Sequence, residues 1–157
     1  SSQSRGLGDV YKRQIKDSIN LMKTNDKDIV INFNTEEVHY VNSDTEQLNR
    51  VFINLLKNSM ESLKEKHQKT GDFKKKIDVE IQLINDYISI VVQDNGTGFT
   101  NNDLKTLSKP YFTTKKEGSG LGLSIVEKIL NDHNGFIEFI SQKEGAKIKI
   151  LLPKYVN

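Results

Sequence analysis

The chain of 157 residues contains no cysteine. This absence excludes disulfide bonds, thiolate metal sites and a cysteine nucleophile, and it is typical of proteins kept in the reducing cytosol. No apolar run reaches the roughly 18 residues that a membrane-spanning helix needs, and the first residues lack the apolar segment of a signal peptide. We therefore expect a cytoplasmic domain; a longer parent protein anchored in the inner membrane would be compatible with the same sequence.

The sequence also lacks an excess of charge of either sign. Lys and Arg number 23 against 21 Asp and Glu, for a formal net charge of +2. This balance argues against nucleic acid as a partner, because phosphate backbones are bound by clustered positive charge. The length, with 35% hydrophobic and 28% charged residues, predicts one globular domain with a buried core.

Residues 1–14 have no periodicity, and we interpret them as a linker or as a cloning or sequencing remnant. The domain is expected to occupy residues 15–157. It begins with a predicted short helix over Ile15–Lys23. Alternation of apolar residues then predicts a strand over Asp28–Asn34, and a weaker one over Val38–Asn42.

A long helix is predicted to follow, because apolar residues recur at spacings of three and four from Leu48 to Leu63. Ser43 and Asp44 are good N-cap residues for it, and the pattern fades over Gln68–Gly71. The later predicted elements are strands at Ile77–Ile84 and Tyr87–Gln93 around an Asn85-Asp86 turn, a short helix at Asn101–Leu107, and strands at Phe136–Gln142 and Lys147–Leu152 around Glu144-Gly145.

Strands that follow one another through short turns predict a mostly antiparallel or mixed sheet. The strict βαβ alternation of a doubly wound parallel fold is absent. We therefore predict an α+β fold, a two-layer α/β sandwich in which about three helices cover one face of a mixed, mostly antiparallel sheet.

The stretch Lys115–Gly135 joins a glycine-rich segment to an amphipathic helix. Gly118, Gly120 and Gly122 lie where that helix should begin, and Gly135 is expected at its C′ position. Free N–H groups and a partial positive charge at a helix start suit a phosphate. The alternative is a surface loop that leads into a packed helix.

Two asparagines, Asn54 and Asn58, lie four apart on the long helix and project from the same side, one turn apart. Asparagine is a poor helix former, and near a core its amide needs partners. Carboxamide oxygens suit a hard cation such as Mg²⁺ that keeps most of its waters. The alternative is hydrogen bonding between the helix and a loop, with no ligand.

Two further polar segments interrupt the scaffold. Asp94–Gly98 follows a predicted strand, so the Asp94 carboxylate could accept a hydrogen bond from an exocyclic amine while Gly96 and Gly98 let the backbone approach a flat ring. An ordinary tight turn is the alternative. In Pro110–Lys115, two aromatic residues that could anchor a loop are followed by two hydroxyl side chains and a lysine. The alternative for this segment is a hydrophobic plug.

The four segments NLLKN, DNGTG, PYFTTK and GSGLGL, in this order, resemble the N, G1, F and G2 boxes of the histidine-kinase ATP-binding domain. That domain belongs to the gyrase, Hsp90, kinase and MutL-like ATPase superfamily and has the Bergerat-type ATP-binding fold. The resemblance covers about Ile15–Pro153. The residues around the boxes look most like sensor kinases of the nitrogen-regulation type.

This resemblance implies ATP and Mg²⁺ as ligands. Asn58 would be the Mg²⁺ ligand, and Asn54 would lie beside the triphosphate where hydrolytic relatives carry a glutamate. Because asparagine cannot act as that base, phosphoryl transfer to a histidine is favoured over free hydrolysis. Asp94 would bind the adenine amine, with Gly96 and Gly98 lining the base pocket.

The phosphate end is implied in the same way. Phe99–Glu117 would be a short mobile lid that is partly disordered without nucleotide, and Lys115 would face the phosphates as a second catalytic residue after Asn54. The remaining nucleotide-binding residues would be Thr113 and Thr114 of the lid and Gly118, Gly120, Leu121 and Gly122 at the helix start.

The chain departs from the family pattern at Glu61, where many such kinases carry a cation; Lys57 is the nearest candidate to replace it. None of the three histidines, His39, His67 and His133, lies in an acceptor-like context, so we expect surface or capping roles for them. The acceptor histidine would then belong to a dimerisation domain absent from this chain.

The resemblance further implies a response-regulator receiver domain as a partner of the parent protein and a monomeric isolated domain. Two alternatives remain at this point. One is another member of the superfamily, either an ATPase or a serine kinase of the anti-sigma type. The other is a degenerate domain that binds a partner and no nucleotide.

Overall fold

The computed structural model describes residues 13, 15–21, 23, 26–35, 45–99 and 120–153. Within them, residues 15–21 form helix α1. The later elements are β1 (Val30–Thr35), α2 (Thr45–Thr70), β2 (Lys76–Ile84), β3 (Tyr87–Asp94), α3 (Gly120–Asp132), β4 (Phe136–Ser141) and β5 (Ala146–Pro153). The predicted strand at 38–42, the proposed caps Ser43 and Asp44, and the predicted helix at 101–107 lie outside the described residues.

The five strands form one mixed sheet in the order β1-β2-β3-β5-β4. β1 and β2 pair in parallel and are connected through α2, whereas the pairs β2–β3, β3–β5 and β4–β5 are antiparallel. The predicted mixed, mostly antiparallel sheet is therefore confirmed. None of the helices in the described ranges is long and apolar enough to cross a membrane.

The core lies between one face of the sheet and the helices. Alternate residues of β2 and β5 are buried, as the period of two in their sequences requires. β3 follows the same alternation, except that Ser89 is buried as well. α2 contacts both β3 and α3, and α1 adds Ile15 and Ile19 to the core. The largest fully buried side chains are Phe52, Ile15, Leu55, Leu56, Leu63, Ile77, Ile81, Ile88, Ile90, Leu130 and Ile150. This arrangement is the predicted two-layer α+β sandwich.

The β2–β3 hairpin has the predicted two-residue turn. Ile84 pairs with Tyr87, and Asn85 between them has a φ of 54°. Asparagine tolerates this left-handed conformation better than most residues, because its short polar side chain can bond locally. The local sequence therefore fixes the register between β2 and β3.

The end of α3 differs from the prediction in one residue. Asn134, with a φ of 56°, occupies the left-handed C′ position that we assigned to Gly135. Asn134 N donates to Asn131 O at 3.1 Å, and Gly135 N donates to Leu130 O at 2.7 Å. These two bonds define a Schellman motif with Gly135 at C″. The glycine is required for a different reason, because a Cβ there would lie 2.9 Å from the Leu151 carbonyl oxygen.

Candidate functional site

The C-terminal end of β3 is where three parts of the fold meet. Asp94, its last residue, is only 5% exposed although it is acidic. Its carboxylate oxygen Oδ1 accepts hydrogen bonds from Gly96 N at 2.8 Å, Ser62 Oγ at 3.3 Å and Ala146 N at 3.3 Å. A buried carboxylate needs such donors. Because they come from the following loop, from α2 and from β5, the plane of the carboxylate is fixed from three sides.

The next residue, Asn95, holds the loop against the start of β2. Its Oδ1 accepts from Lys76 N at 2.9 Å and its Nδ2 donates to Lys74 O at 2.7 Å. Lys66 of α2 donates from Nζ to Asn95 O at 2.8 Å, and the same ammonium lies 4.6 Å from the centre of the Phe73 ring. The path of residues 94–96 is thus determined by long-range hydrogen bonds as well as by its own turn.

Both glycines of the loop are required by neighbouring protein atoms. A Cβ at Gly96 would overlap the Ser62 side chain and come within 2.6 Å of its carbonyl carbon. Gly98 has a φ of 76°, and a Cβ there would lie 2.6 Å from Gly145 O. The described contacts that require glycine at these positions are with α2 and with the turn between β4 and β5. The role of the two glycines beside a flat ring stays a prediction.

Asn54 and Asn58 lie on the same side of α2 as Ser62. The three residues recur every four positions, and we refer to them as the polar flank of α2. Asn54 and Ser62 are about 12 Å apart along the helix axis, at 1.5 Å per residue. Both asparagines are half-buried, and Asn54 Nδ2 donates to Arg50 O at 2.8 Å. The polar flank therefore runs along the helix towards Asp94, and the predicted set Asn54, Asn58 and Asp94 is brought to one side of the molecule.

The glycine-rich segment enters α3 at Gly120. The backbone of Gly120, Leu121 and Gly122 therefore forms the first turn, and this turn contains no acidic residue that would oppose an anion. The other predicted phosphate-end residues, Thr113, Thr114, Lys115 and Gly118, lie outside the described residues, as does all of the predicted lid except Phe99. The Phe99 ring packs edge-on against Phe139, with centroids 5.9 Å apart.

The opposite side of α2 borders a different cavity. Met60, Lys64 and His67, which we call the cleft flank, line a cleft of about 290 Å³ together with Asp26, Ile29, Glu61, Leu63 and Lys75. Asp26 Oδ2 accepts from Lys75 Nζ at 3.0 Å. This hydrogen bond, with smaller contributions from the Asp28 backbone and from nearby positive charge, lowers the pKa of Asp26 below its ordinary value.

The structure describes two of the three histidines, and it describes Lys57 and Glu61 on α2. His133 Nδ1 lies 2.7 Å from Ile129 O, and because a carbonyl only accepts, the ring caps the end of α3 as expected. His67 Nδ1 lies 3.4 Å from Asp72 Oδ1. Lys57 is exposed and Glu61 half-buried on α2, and His39 lies outside the described residues.

Three residues of this region were missed from the sequence. Ser62 touches the Asp94 loop directly, and Asn95 ties that loop to Lys74 and Lys76. Gly145 approaches Asp94 so closely that no Cβ fits between them. Ser62 carried a signal, because it extends the spacing of Asn54 and Asn58 by another four residues. For Gly145 the sequence indicated only a turn, since its partner lies about fifty residues away.

Comparison with known proteins identifies the family. Residues 43–156 match the family described as histidine kinase-, DNA gyrase B- and HSP90-like ATPase. A putative NtrY-like sensor histidine kinase of Rickettsia conorii is 38% identical over 118 residues, which are 74% of this chain and 18% of the relative. This chain thus spans less than a fifth of the length of that relative, whose name agrees with the predicted likeness to nitrogen-regulation kinases.

Two solved structures have the same fold. The nucleotide-free catalytic domain of histidine kinase ThkA superimposes with a TM-score of 0.78 at 28% identity, covering 91% of each chain. A structure of ThkA in complex with the response regulator protein TrrA gives a TM-score of 0.73 at 25% identity, covering 92% of this chain and 40% of the other. From the matched family, the fold and the ordered boxes, the chain belongs to the family of histidine kinase-, DNA gyrase B- and HSP90-like ATPases.

Proposed function

We propose that this chain is the ATP-binding half of a two-component sensor histidine kinase. It would bind Mg²⁺–ATP and donate the γ-phosphate to a histidine on a dimerisation domain absent from this chain. The observation that carries the proposal is the buried Asp94 carboxylate, fixed by three donors at the end of the polar flank of α2. A carboxylate held in this way is a preorganised hydrogen-bond acceptor.

The base would bind at Asp94. An ionised carboxylate only accepts hydrogen bonds, so it suits the exocyclic amine of adenine and opposes the carbonyl that guanine carries at the same position. Gly96 and Gly98 would contribute backbone to the wall of this pocket. Their contacts with Ser62 and Gly145 would hold that wall at a fixed distance from α2.

The phosphates would extend along α2 towards Asn54 and Asn58. The Asn58 carboxamide oxygen is a suitable ligand for Mg²⁺, which binds few protein groups and keeps several waters. When bound, Mg²⁺ would neutralise charge on the phosphates. Asn54 Nδ2 donates to the Arg50 carbonyl, which fixes the orientation of its amide. Since neither asparagine can take a proton from water, the site favours transfer over hydrolysis.

The remaining phosphate contacts would come from backbone N–H groups of Gly120, Leu121 and Gly122 in the first turn of α3, where the helix charge favours an anion. Gly118, Thr113, Thr114 and Lys115 are proposed from the box resemblance, with Lys115 acting beside Asn54 on the transferred phosphoryl group. Positioning and charge neutralisation of this kind account for most of the catalysis in phosphoryl transfer.

The partners follow from the same function. The dimerisation domain of the parent protein would present the acceptor histidine, and a receiver domain would take the phosphoryl group from it. The ThkA complex with TrrA supports such an assembly. The isolated domain would be monomeric. ATP use would place the domain in the cytoplasm.

The test is calorimetric titration of the full chain with ADP in excess Mg²⁺. We expect the wild type to bind and Asp94→Asn to bind at least tenfold more weakly, because the amide replaces an acceptor with a donor. Chelation of Mg²⁺ should weaken ATP binding in the wild type, and by a smaller factor in Asn58→Ala. Absence of ADP binding, or equal affinity in Asp94→Asn, would contradict the proposal, as would steady ATP hydrolysis by the purified chain.

A further inference from the structure

Ser62 is a buried hydroxyl at the meeting point of α2 and the 94–98 loop. It is 4% exposed and lies four residues after Asn58 on the polar flank. A buried hydroxyl is costly unless it is hydrogen-bonded. Ser62 Oγ meets three polar atoms of the loop: Thr97 N at 3.0 Å, Thr97 Oγ1 at 3.2 Å and Asp94 Oδ1 at 3.3 Å.

These contacts fix the direction of each hydrogen bond. A hydroxyl has one proton to donate and two lone pairs that accept. The backbone N of Thr97 donates to Ser62 Oγ, which uses one lone pair. Because an ionised carboxylate can only accept, the Ser62 proton goes to Asp94. The Thr97 hydroxyl is then the donor to the second lone pair, so that the chain runs from Thr97 through Ser62 to Asp94.

The Ser62 bond differs in origin from the other two that Asp94 Oδ1 accepts. Gly96 N and Ala146 N are backbone donors from the loop and from β5. Of these three described donors, Ser62 is the side chain, and it belongs to the helix that carries Asn54 and Asn58. The close approach of Gly96 to the Ser62 backbone keeps the loop in reach of the hydroxyl. The orientation of the carboxylate relative to the polar flank therefore depends on this serine.

We propose that Ser62 is a positioning residue that sets the preference for a base with an amino group at position 6, by orienting the Asp94 carboxylate from α2. The inference rests on the proposed function, in which Asp94 accepts from that amine. Ser62 itself does not contact the nucleotide. Its effect is confined to the hydrogen bond between Asp94 and the base, so it disappears when the nucleotide lacks the amine.

The test is a comparison of two nucleotides on the full chain by calorimetry with Mg²⁺: ADP, and purine riboside 5′-diphosphate, which lacks the 6-amino group. We expect Ser62→Ala to weaken ADP binding roughly tenfold and purine riboside diphosphate binding less than twofold. The preference for ADP should fall accordingly. Thr97→Val, which keeps the serine and removes its hydroxyl donor, should lower the preference in the same direction by a smaller factor.

The matched control is Ser59→Ala. Ser59 lies on the same helix, is 3% exposed and loses the same atom, so its substitution should leave the ratio of the two affinities at the wild-type value. Thermal unfolding without nucleotide checks that each variant is folded; if Ser62→Ala does not fold, Thr97→Val decides. An equal loss for both nucleotides, or an unchanged ratio, would overturn the positioning role.

The same titrations distinguish a failure of the role proposed for Asp94 from a failure of the role proposed for Ser62. Wild-type protein that binds ADP and purine riboside diphosphate equally well would refute Asp94 as the base-reading group, and the role of Ser62 with it. Wild-type discrimination that Asp94→Asn removes and Ser62→Ala preserves would refute only the role of Ser62.

Discussion

The two flanks of α2 are built from different kinds of side chain. The polar flank carries short neutral groups, Asn54, Asn58 and Ser62, and Ser62 is hydrogen-bonded to a loop more than thirty residues away. The cleft flank carries Met60, Lys64 and His67 beside an open cleft of about 290 Å³. Short side chains lose little rotamer freedom on folding, and their hydrogen bonds hold two backbone segments at a defined distance. Long charged side chains lose more rotamer freedom and fix that distance less well.

Residues 74–76 connect the two flanks. The backbone of Lys74 and Lys76 is hydrogen-bonded to Asn95, in the loop that Ser62 of the polar flank contacts. The Lys75 side chain is hydrogen-bonded to Asp26, in the cleft that the other flank lines. Under the proposed function, the polar flank is constrained for ligand binding, whereas the cleft flank contributes mainly to stability. Substitutions beside the polar flank should therefore weaken ADP binding, and substitutions in the cleft should not.

Gly96→Ala should be the most damaging of these changes. A Cβ would overlap Ser62, including backbone atoms of α2 that cannot rotate away, so the loop must move. We expect a loss of about 3 kcal/mol in the free energy of unfolding and loss of ADP binding. Gly71→Ala is the matched control, because Gly71 has a φ of 86° but open space around it. It should cost about 1 kcal/mol and leave ADP affinity unchanged.

Asn95→Ala should have an intermediate effect. It removes two hydrogen bonds to the start of β2 and leaves Lys76 N and Lys74 O to be solvated. We expect a loss of about 1–2 kcal/mol in urea unfolding and weaker ADP binding than in the wild type. Asn32→Ala, which removes an exposed side-chain hydrogen bond to Asp78 on the sheet, should change stability by less than about 0.5 kcal/mol. Equal effects of the two substitutions would refute the special role of Asn95.

Asp26→Asn should have the smallest effect of these substitutions. It should lower the free energy of unfolding and leave ADP binding unchanged. The pKa of Asp26 is lower in the folded protein than its ordinary value, chiefly through Lys75. The ionised form therefore stabilises the fold at pH above about 5, and this contribution is lost as the pH falls through the folded pKa. We expect a loss of about 1 kcal/mol at pH 7, with unchanged ADP affinity.

The difference between wild type and Asp26→Asn in urea unfolding should narrow from pH 5 to pH 3. Asp28→Asn, which removes a neighbouring exposed carboxylate, is the control for the change in net charge. A difference that stays constant over this range would exclude the ion pair as its cause, and weaker ADP binding in Asp26→Asn would remove the contrast between the flanks.

The sequence was sufficient for the features that depend on local pattern. Alternation located β2 and β3, and the Asn85-Asp86 pair located the turn that registers them. The spacing of apolar residues located α2 and its end near Gly71. The ordered boxes then identified the family. Asp94 is buried in the structure, and its role as the acceptor for the base stays a prediction.

The features that the sequence did not reveal depend on contacts between distant parts of the chain. Nothing near Gly145 indicates that Asp94 packs against it, and nothing near Asn95 indicates that its amide bridges to Lys74 and Lys76. The end of α3 was misplaced for a related reason. Gly135 looked like the left-handed residue, but tertiary packing against β5 accounts for the glycine, and Asn134 takes the turn.

The hydrogen bond from Ala146 to Asp94 has a consequence for how the domain is made. It joins residues 52 positions apart, and the carboxylate it helps to fix also depends on Ser62, 32 positions away. A chain emerging from the ribosome has therefore made α2 and β3 before it can complete the surroundings of Asp94, which must wait for β5. Nucleotide that binds only the finished domain would then stabilise the product of folding without guiding its early steps.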